Sequence, residues 1–137
     1  MAGTIVADIH QSGSVSTPPQ FQDSAGTQIG TLCRAWVNFN GTGTVAIRAA
    51  FNVSSITDNG VGDYTVNFTN AMPDANYAAV MSGEQSTGTG ATAAQYMIGV
   101  DVNVAQTTSA VKMLSKYCRP DTSGYADTAN LNVSIYR

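Results

Sequence analysis

The stretch CRAWVNFNGTGTVAIRAAF, residues 33–51, decides the fold class because apolar and polar side chains alternate on both sides of a turn signal. In the first run the alternate positions are Cys33, Ala35, Val37 and Phe39; in the second they are Val45, Ile47, Ala49 and Phe51. A period of two places one face of a strand on a core and the other on water. The Asn-Gly dipeptide between the runs supplies the positive φ of a tight hairpin turn. The stretch therefore predicts two antiparallel strands.

The same alternation continues towards the C-terminus. It places on one face Tyr64, Val66 and Phe68, then Tyr96, Ile98, Val100, Val102 and Val104, then Leu131, Val133 and Ile135. Shorter strands are expected over residues 53–57, 77–81 and 109–117, and Gly, Asn, Asp and Ser clusters separate the runs. No segment has sustained helical periodicity. The sequence predicts an all-β protein, an antiparallel β-sandwich of about eight strands.

The first thirty residues differ from the rest. They are rich in Ser, Gln and Gly and contain a Pro-Pro pair, and their apolar side chains are few. Such a segment alone cannot bury enough surface to fold. It is either a flexible leader or an extended arm that orders against another chain, and we favour the arm. We therefore expect an N-terminal arm over residues 1–30, with Ile5, Val6 and Ile9 in an oligomer or attachment interface, and one β-sandwich domain over residues 31–137.

Composition excludes several classes of partner. Charged residues make up 11% of the chain, against about 25% in ordinary domains. The net charge is −3 and the basic residues are scattered, so nucleic acid is a poor candidate partner. No apolar run is long enough to span a membrane, and the N-terminus lacks the pattern of a signal peptide. The two cysteines, Cys33 and Cys118, fit small core residues in a reducing compartment, with a mutual disulfide as the alternative.

Catalytic and metal-binding patterns are weak. The single histidine, His10, lies in the expected arm without a nucleophile motif around it, although symmetry-related copies meeting on an axis would offer a metal site. Asp58 and Asp63 flank a turn, where Asp usually bonds its own backbone. Residues 58–63 resemble a fragment of a calcium loop but lack its bidentate Glu. The remaining alternative is that Asp58 and Asp63 face each other across a glycosidic bond, as the catalytic pair of a glycosidase does. We expect no enzyme, no cofactor and no metal.

Aromatic and loop residues are the candidates for binding. Trp36 lies on the face opposite Val37, where it packs against a second layer or a subunit interface, or stacks on a sugar ring. We assign it to an oligomer interface. Two stretches, residues 82–94 and 119–129, are polar, Gly-rich and long for hairpin loops, which are where recognition usually resides. The receptor-binding candidates in them are Glu84, Gln85, Thr87, Thr89, Asp121 and Tyr125.

Residues 33–78, CRAWVNFNGTGTVAIRAAFNVSSITDNGVGDYTVNFTNAMPDANYA, resemble a domain that recurs in tail-fibre proteins of marine and other bacteriophages. The preceding PPQFQDSAGTQIGTL, residues 18–32, is similar to the usual lead-in of that family. Trp36, the Asn-Gly-Thr-Gly turn and the Asp-Tyr-Thr-Val-Asn-Phe strand occur together and in order. Residues 83–137 are similar only in style.

The resemblance implies a virion component, usually trimeric, that contacts the host surface, and it does not imply an enzyme. The expected partners are further copies of the chain, other virion tail proteins, and a glycan or protein of the host cell surface. The expected location is the tail fibre, assembled in the bacterial cytoplasm. The alternative is a capsid decoration or tail connector protein with a purely structural role, and a depolymerase is a more distant one.

Overall fold

The structure is a computed structural model that describes residues 21–84 and 95–137. The chain divides into two compact units, Met1–Thr31 and Leu32–Arg137. The strands are β1 (Phe21–Gln22), β2 (Gln28–Gly30), β3 (Cys33–Asn40), β4 (Ala46–Phe51), β5 (Val53–Gly60), β6 (Asp63–Phe68), β7 (Ala78–Gly83), β8 (Gln95–Val100), β9 (Ala110–Cys118), β10 (Ser123–Tyr125) and β11 (Leu131–Tyr136). Across the described ranges no helix is long and apolar enough to cross a membrane. The prediction of an all-β, antiparallel protein is confirmed.

In the N-terminal unit, β1 and β2 form a short antiparallel hairpin. Asp23 builds its turn, because one carboxylate oxygen accepts hydrogen bonds from the amides of Ala25 and Thr27, both at 2.9 Å. The sequence reading did not predict this hairpin. Ile5, Val6, Ile9 and His10 lie outside the described residues.

The first sheet of the larger unit has four strands in the order β4-β3-β11-β7, all antiparallel. The last strand of the chain, β11, lies between β3 and β7. Its three inward apolar residues, Leu131, Val133 and Ile135, are buried as predicted. The C-terminal strand therefore lies in the middle of this sheet, where it joins β3 to β7.

The second sheet has five strands, with β5, β6, β9 and β8 side by side and β10 also paired with β9. Because β8 occupies one side of β9, β6 and β10 follow one another along the other side. They meet at Ser115, whose amide donates to the Gly62 carbonyl at 2.8 Å and whose carbonyl accepts from the Ala126 amide at 3.1 Å. The single strand β9 therefore pairs with three other strands, β6, β8 and β10.

The two sheets pack face to face over one core. The buried apolar residues contributed by the two sheets are Ala35, Val37, Phe39, Leu131, Val133 and Ile135 from the first and Tyr64, Val66, Phe68, Val111 and Met113 from the second. Phe39 and Tyr64 meet edge to face across the interface, with ring centroids 5.4 Å apart. Alternating positions of β3, β6 and β11 therefore do face the core, as the period of two predicts.

A polar network centred on Tyr64 joins three chain segments at one end of this core. The Tyr64 hydroxyl lies 2.7 Å from Asp127 Oδ1 and 2.8 Å from the Gly41 carbonyl oxygen. The same Asp127 oxygen accepts the Gly62 amide at 2.7 Å, and the Gly41 amide donates to the Thr128 carbonyl at 3.0 Å. The β3–β4 turn, the β5–β6 turn and the segment before β11 are thereby fixed to one another.

The predicted phase of the second strand is correct at Ile47, which pairs with the buried Phe39, and wrong at Phe51. Phe51, expected to face the core, is 56% exposed and pairs with the outward Trp36. The pairing of β3 with β4 shifts register between Asn38 and Phe39, opposite Arg48. A bulge of this kind inserts one unpaired residue and turns the following side chains to the other face. Every residue of β4 is exposed.

The strand predicted over residues 96–104 ends early. β8 stops at Val100, and Asp101 Oδ1 accepts the Asn103 amide at 3.0 Å, which turns the chain. Val102, expected inside, is 93% exposed. The stretch 119–129, expected as a loop, contains the short strand β10. The first error comes from reading alternation without the local side-chain to backbone bond that interrupts it. The second arises because a strand of three residues is too short to show alternation.

Asn52 forms the corner at which the chain leaves the first sheet and enters the second. It has φ of 54°, the only positive value outside glycine among the described residues. Its side-chain nitrogen Nδ2 donates to the carbonyls of Arg34 at 3.0 Å and Asn70 at 3.1 Å. Its side-chain oxygen accepts the Asn70 amide at 2.8 Å. Asn tolerates the left-handed region and here also ties the two sheets together.

We expect Asn52→Ala to lower the free energy of unfolding by about 2–3 kcal/mol, because it loses these hydrogen bonds and strains the left-handed backbone. Asn52→Gly keeps the backbone conformation and should cost about 1–2 kcal/mol. Urea unfolding followed by tryptophan fluorescence measures both. An equal cost for the two variants would contradict a contribution from the positive φ.

Candidate functional site

The outer face of the four-stranded sheet carries an aromatic row. In cross-strand register, Phe51, Trp36, Ser134 and Val80 lie side by side on β4, β3, β11 and β7. Trp36 is 39% exposed and Val80 is 59% exposed. We call these four residues the aromatic row. Cross-strand aromatic pairs such as Trp36 and Phe51 stabilise a sheet, but neighbouring exposed apolar groups also mark contact surfaces.

An amide row runs beside the aromatic row. The Asn38 amide donates to the side-chain oxygens of Asn130 and Asn132, at 2.9 and 2.8 Å. Arg48 is also engaged, because its guanidinium donates to the Phe39 carbonyl and to the Asn130 side chain, both at 3.1 Å. The charge of Arg48 therefore serves the scaffold. The surface offered to a partner is apolar and amide-rich, and Arg34 adds one positive charge on the same face of β3.

The outer face of the five-stranded sheet carries a groove of about 280 Å³, which we call the Tyr125 groove. Its floor is Gly99 on β8 and its register partner Leu114 on β9. The next register row, one wall of the groove, consists of Met97, Lys116 and Tyr125. The other wall is the turn formed by Asp101, Val102 and Asn103. The depression exists because Gly99 has no side chain, and a Cβ built there meets no atom within 4 Å.

The two lysines near the groove differ in their partners. Lys112 lies 2.9 Å from an Asp63 oxygen and 3.4 Å from an Asp101 oxygen. The hydrogen bond to Asp63 raises the pKa of Lys112, while the Asn103 amide, together with Lys112, lowers the pKa of the Asp101 carboxyl. The Lys116 ammonium instead lies over the Tyr125 ring, 4.6 Å from its centroid. Within the described residues Lys116 has no carboxylate partner.

The rest of this face is occupied by its own hydrogen bonds. Asn67 donates to the hydroxyls of Ser55 and Thr57, at 3.1 and 2.9 Å. Asn59 donates to Asp63 at 3.1 Å and to Thr65 at 3.0 Å. Side-chain polar groups bonded to one another have less capacity for a ligand. The groove is thus the part of this sheet with open polar and apolar surface together.

The receptor-binding candidates from the sequence do not form one cluster. Tyr125 lies in the groove, 48% exposed. Asp121 lies in the exposed turn between β9 and β10. Glu84 follows β7 in the other sheet, where its amide donates to the Asn130 carbonyl at 3.0 Å. Gln85, Thr87 and Thr89 lie outside the described residues. Trp36, assigned to an oligomer interface, is on the outer face of the sheet that lacks Tyr125.

Sequence reasoning missed Gly99, Leu114 and Lys116. The available signal was the glycine inside an apolar strand, which often marks a close approach of a ligand or another backbone. Nothing in the sequence said that Gly99 would pair with Leu114, because that depends on the register between β8 and β9.

Neither cysteines nor carboxylates of the described ranges gather into a metal site. In residues 21–84 and 95–137 no three His, Cys, Asp or Glu side chains lie close enough to hold an ion. Asp58 accepts the Gly60 amide at 3.0 Å, the backbone bond expected of a turn Asp. Cys33 and Cys118 are free thiols.

Comparisons with protein-family models, with curated proteins and with solved structures found no match to this chain.

Proposed function

We propose that this chain is a bacteriophage virion structural protein, a tail-fibre tip domain that binds a receptor on the host surface. The observation that carries the proposal is the resemblance of residues 33–78 to tail-fibre domains. In this chain that stretch forms β3 to β6 and contributes Val37, Phe39, Tyr64 and Val66 to the buried core. The similar residues therefore build part of the core, and the other core strands, β9 and β11, come from residues 83–137.

Surface chemistry supports a binding role. The Tyr125 groove combines an aromatic ring, aliphatic side chains, a lysine and an amide in a depression of about 280 Å³. Sites for small ligands are mostly apolar with a few placed polar groups, and their volumes begin at about 300 Å³. A weak site of this kind becomes effective when several copies engage one cell surface.

The proposal includes a homotrimeric β-sandwich. The aromatic row supports self-association, because Trp36 and Phe51, with Val80 on the far side of Ser134, leave exposed apolar groups on the outer face of one sheet. Specific interfaces enrich aromatic side chains in their buried centre. The arm that includes Ile5, Val6 and Ile9 supplies the further contact between copies or to other tail proteins.

A purely structural role, as a capsid decoration or tail connector protein, is the second candidate. The exposed edge strand β4 favours it, since all six of its residues are exposed and most are apolar. An edge with free backbone groups invites pairing with another chain. Under this reading the aromatic row and β4 serve assembly, and the Tyr125 groove has no ligand.

We expect the purified full chain to slow adsorption of a phage that carries it, because occupied receptors are unavailable to the fibre. The measurement is the rate at which free phage disappears from a suspension of host cells preincubated with the protein. The chain should reduce this rate severalfold at saturation, and an unrelated all-β protein of similar charge is the control. Unchanged adsorption at saturating protein would favour the purely structural role.

A further inference from the structure

We propose that the Tyr125 groove binds an acidic saccharide, with the sugar ring over Gly99 and Leu114 and the carboxylate at the Lys116 ammonium. The inference rests on the proposed host-surface function and names the site and the ligand class for it. Three observations carry it: the shape of the groove, its apolar floor and its uncompensated cation.

The shape admits one or two sugar rings. A volume of about 280 Å³ lies just below the range of small-ligand sites, which begins at about 300 Å³. Space above Gly99 is open, so a ligand reaches the floor without moving protein atoms.

The floor and one wall suit the apolar face of a sugar. Leu114 forms the floor with Gly99, and Met97 and Tyr125 stand in the adjacent register row. Met97 is well exposed and its thioether adapts to irregular shapes.

Charge decides the ligand class. The positive charge of Lys112 is compensated by Asp63 and Asp101, whereas Lys116 faces only the Tyr125 ring among the described residues. A ligand carboxylate at Lys116 would form a charge-assisted hydrogen bond, which is stronger than a neutral one. At the opposite wall the Asn103 amide already donates to Asp101 at 3.1 Å, so its side-chain oxygen is left to accept a sugar hydroxyl.

The test is a titration of isotope-labelled full chain, followed by amide NMR, with N-acetylneuraminate and glucuronate and with their neutral counterparts N-acetylglucosamine and glucose. We expect the acidic sugars, at up to about 10 mM, to shift amides of residues 97–103, 114–116 and 125. Gly99→Trp should abolish these shifts by filling the groove. Lys116→Gln should weaken binding of the acidic sugars about tenfold and bring it to the level of the neutral ones.

Matched controls keep the test specific. Ala46→Trp places the same indole on an exposed strand position of the other sheet, and Arg34→Gln removes the same charge there. Both should leave the titration unchanged. The inference is overturned if neither acidic sugar shifts the groove amides, if neutral sugars bind equally well, or if Gly99→Trp binds like the parent chain.

The adsorption experiment separates this inference from the proposed function. If Gly99→Trp loses sugar binding and also no longer slows phage adsorption, both are supported. If the variant still slows adsorption, the proposed function stands and the groove is not the receptor site. If the parent chain binds the acidic sugar but never slows adsorption, the groove stands and the tail-fibre function fails.

Discussion

Replacing Gly62 with alanine is expected to lower the free energy of unfolding by about 3–5 kcal/mol. Gly62 has φ of 65°, where a side chain is already unfavourable. A Cβ there would overlap the Ser115 carbonyl oxygen and lie 2.7 Å from the Ala126 amide nitrogen. Both neighbours are backbone atoms, one on β9 and one directly after β10, so no side-chain rotation relieves the overlap.

The overlap would also disturb the hydrogen bonds that meet at this turn. The Gly62 amide donates to Asp127 at 2.7 Å, and its carbonyl accepts the Ser115 amide at 2.8 Å. Moving the turn to make room for a methyl group would break these bonds, and a buried group left without a partner costs about 1–3 kcal/mol. The same movement would separate β6 from β10 where they meet on β9.

Gly43 provides the matched control, because it has a similar φ of 61° but no atom within 4 Å of a built Cβ. Gly43→Ala should therefore show only the backbone cost of the left-handed region, about 1 kcal/mol. Urea unfolding of the two variants beside the parent chain measures the difference. Equal destabilisation would show that the contact with Ser115 and Ala126 does not constrain the fold.

The strands that face the core could be predicted from sequence because their alternation is uninterrupted. Tyr64, Val66 and Phe68 on β6, and Leu131, Val133 and Ile135 on β11, are buried as expected. The prediction failed at Phe51 and at Val102. In the first case a bulge opposite Arg48 changed the phase, and in the second Asp101 bonded its neighbour's backbone and ended the strand. The periodicity of the sequence cannot reveal either event, since each depends on a partner elsewhere in the chain or on one hydrogen bond.

The sequence predicted the kinds of residue in the candidate site better than it predicted their positions. Aromatic residues and polar loops were expected to bind, and Tyr125 does line a groove. The other lining residues come from β8 and β9, whose register brings Gly99 to Leu114 and Met97 to Lys116. A single sequence does not encode such long-range register in any local pattern. The expected position of Trp36 opposite Val37 was correct, because that relation is local to one strand.

Stability is expected to fall steeply above about pH 10, because two core tyrosines keep their protons in the folded state. Burial, and then the hydrogen bond to Asp127, raise the pKa of Tyr64 above its ordinary value. Burial raises the pKa of Tyr77 to about 12. The Tyr77 hydroxyl lies 3.0 Å from the Thr107 carbonyl oxygen and 2.9 Å from that of Ala110, so its proton has acceptors inside the fold.

The sign follows from proton counting. In the unfolded chain a tyrosine ionises near pH 10, whereas in the folded chain the proton is retained to higher pH. Between the two values the unfolded state binds fewer protons, so the free energy of unfolding falls by up to about 1.4 kcal/mol per pH unit for each tyrosine. For Tyr77 this window extends from about pH 10 to about pH 12. Below it the contribution of both residues is complete.

Urea unfolding between about pH 8 and about pH 11.5 measures the slope. The Tyr77→Phe variant should lose the part of this slope that one tyrosine contributes. Adding Tyr64→Phe should remove most of the slope that remains. The raised pKa of Lys112 acts in the same direction, so the residual slope of the double variant reports that ion pair. A parent chain whose stability is flat to about pH 11.5, or a double variant with the parent's slope, would contradict the burial of these two hydroxyls in the folded protein. The Tyr64 share of this slope comes from burial first and then from the hydrogen bond to Asp127, whose carboxylate also accepts the Gly62 amide.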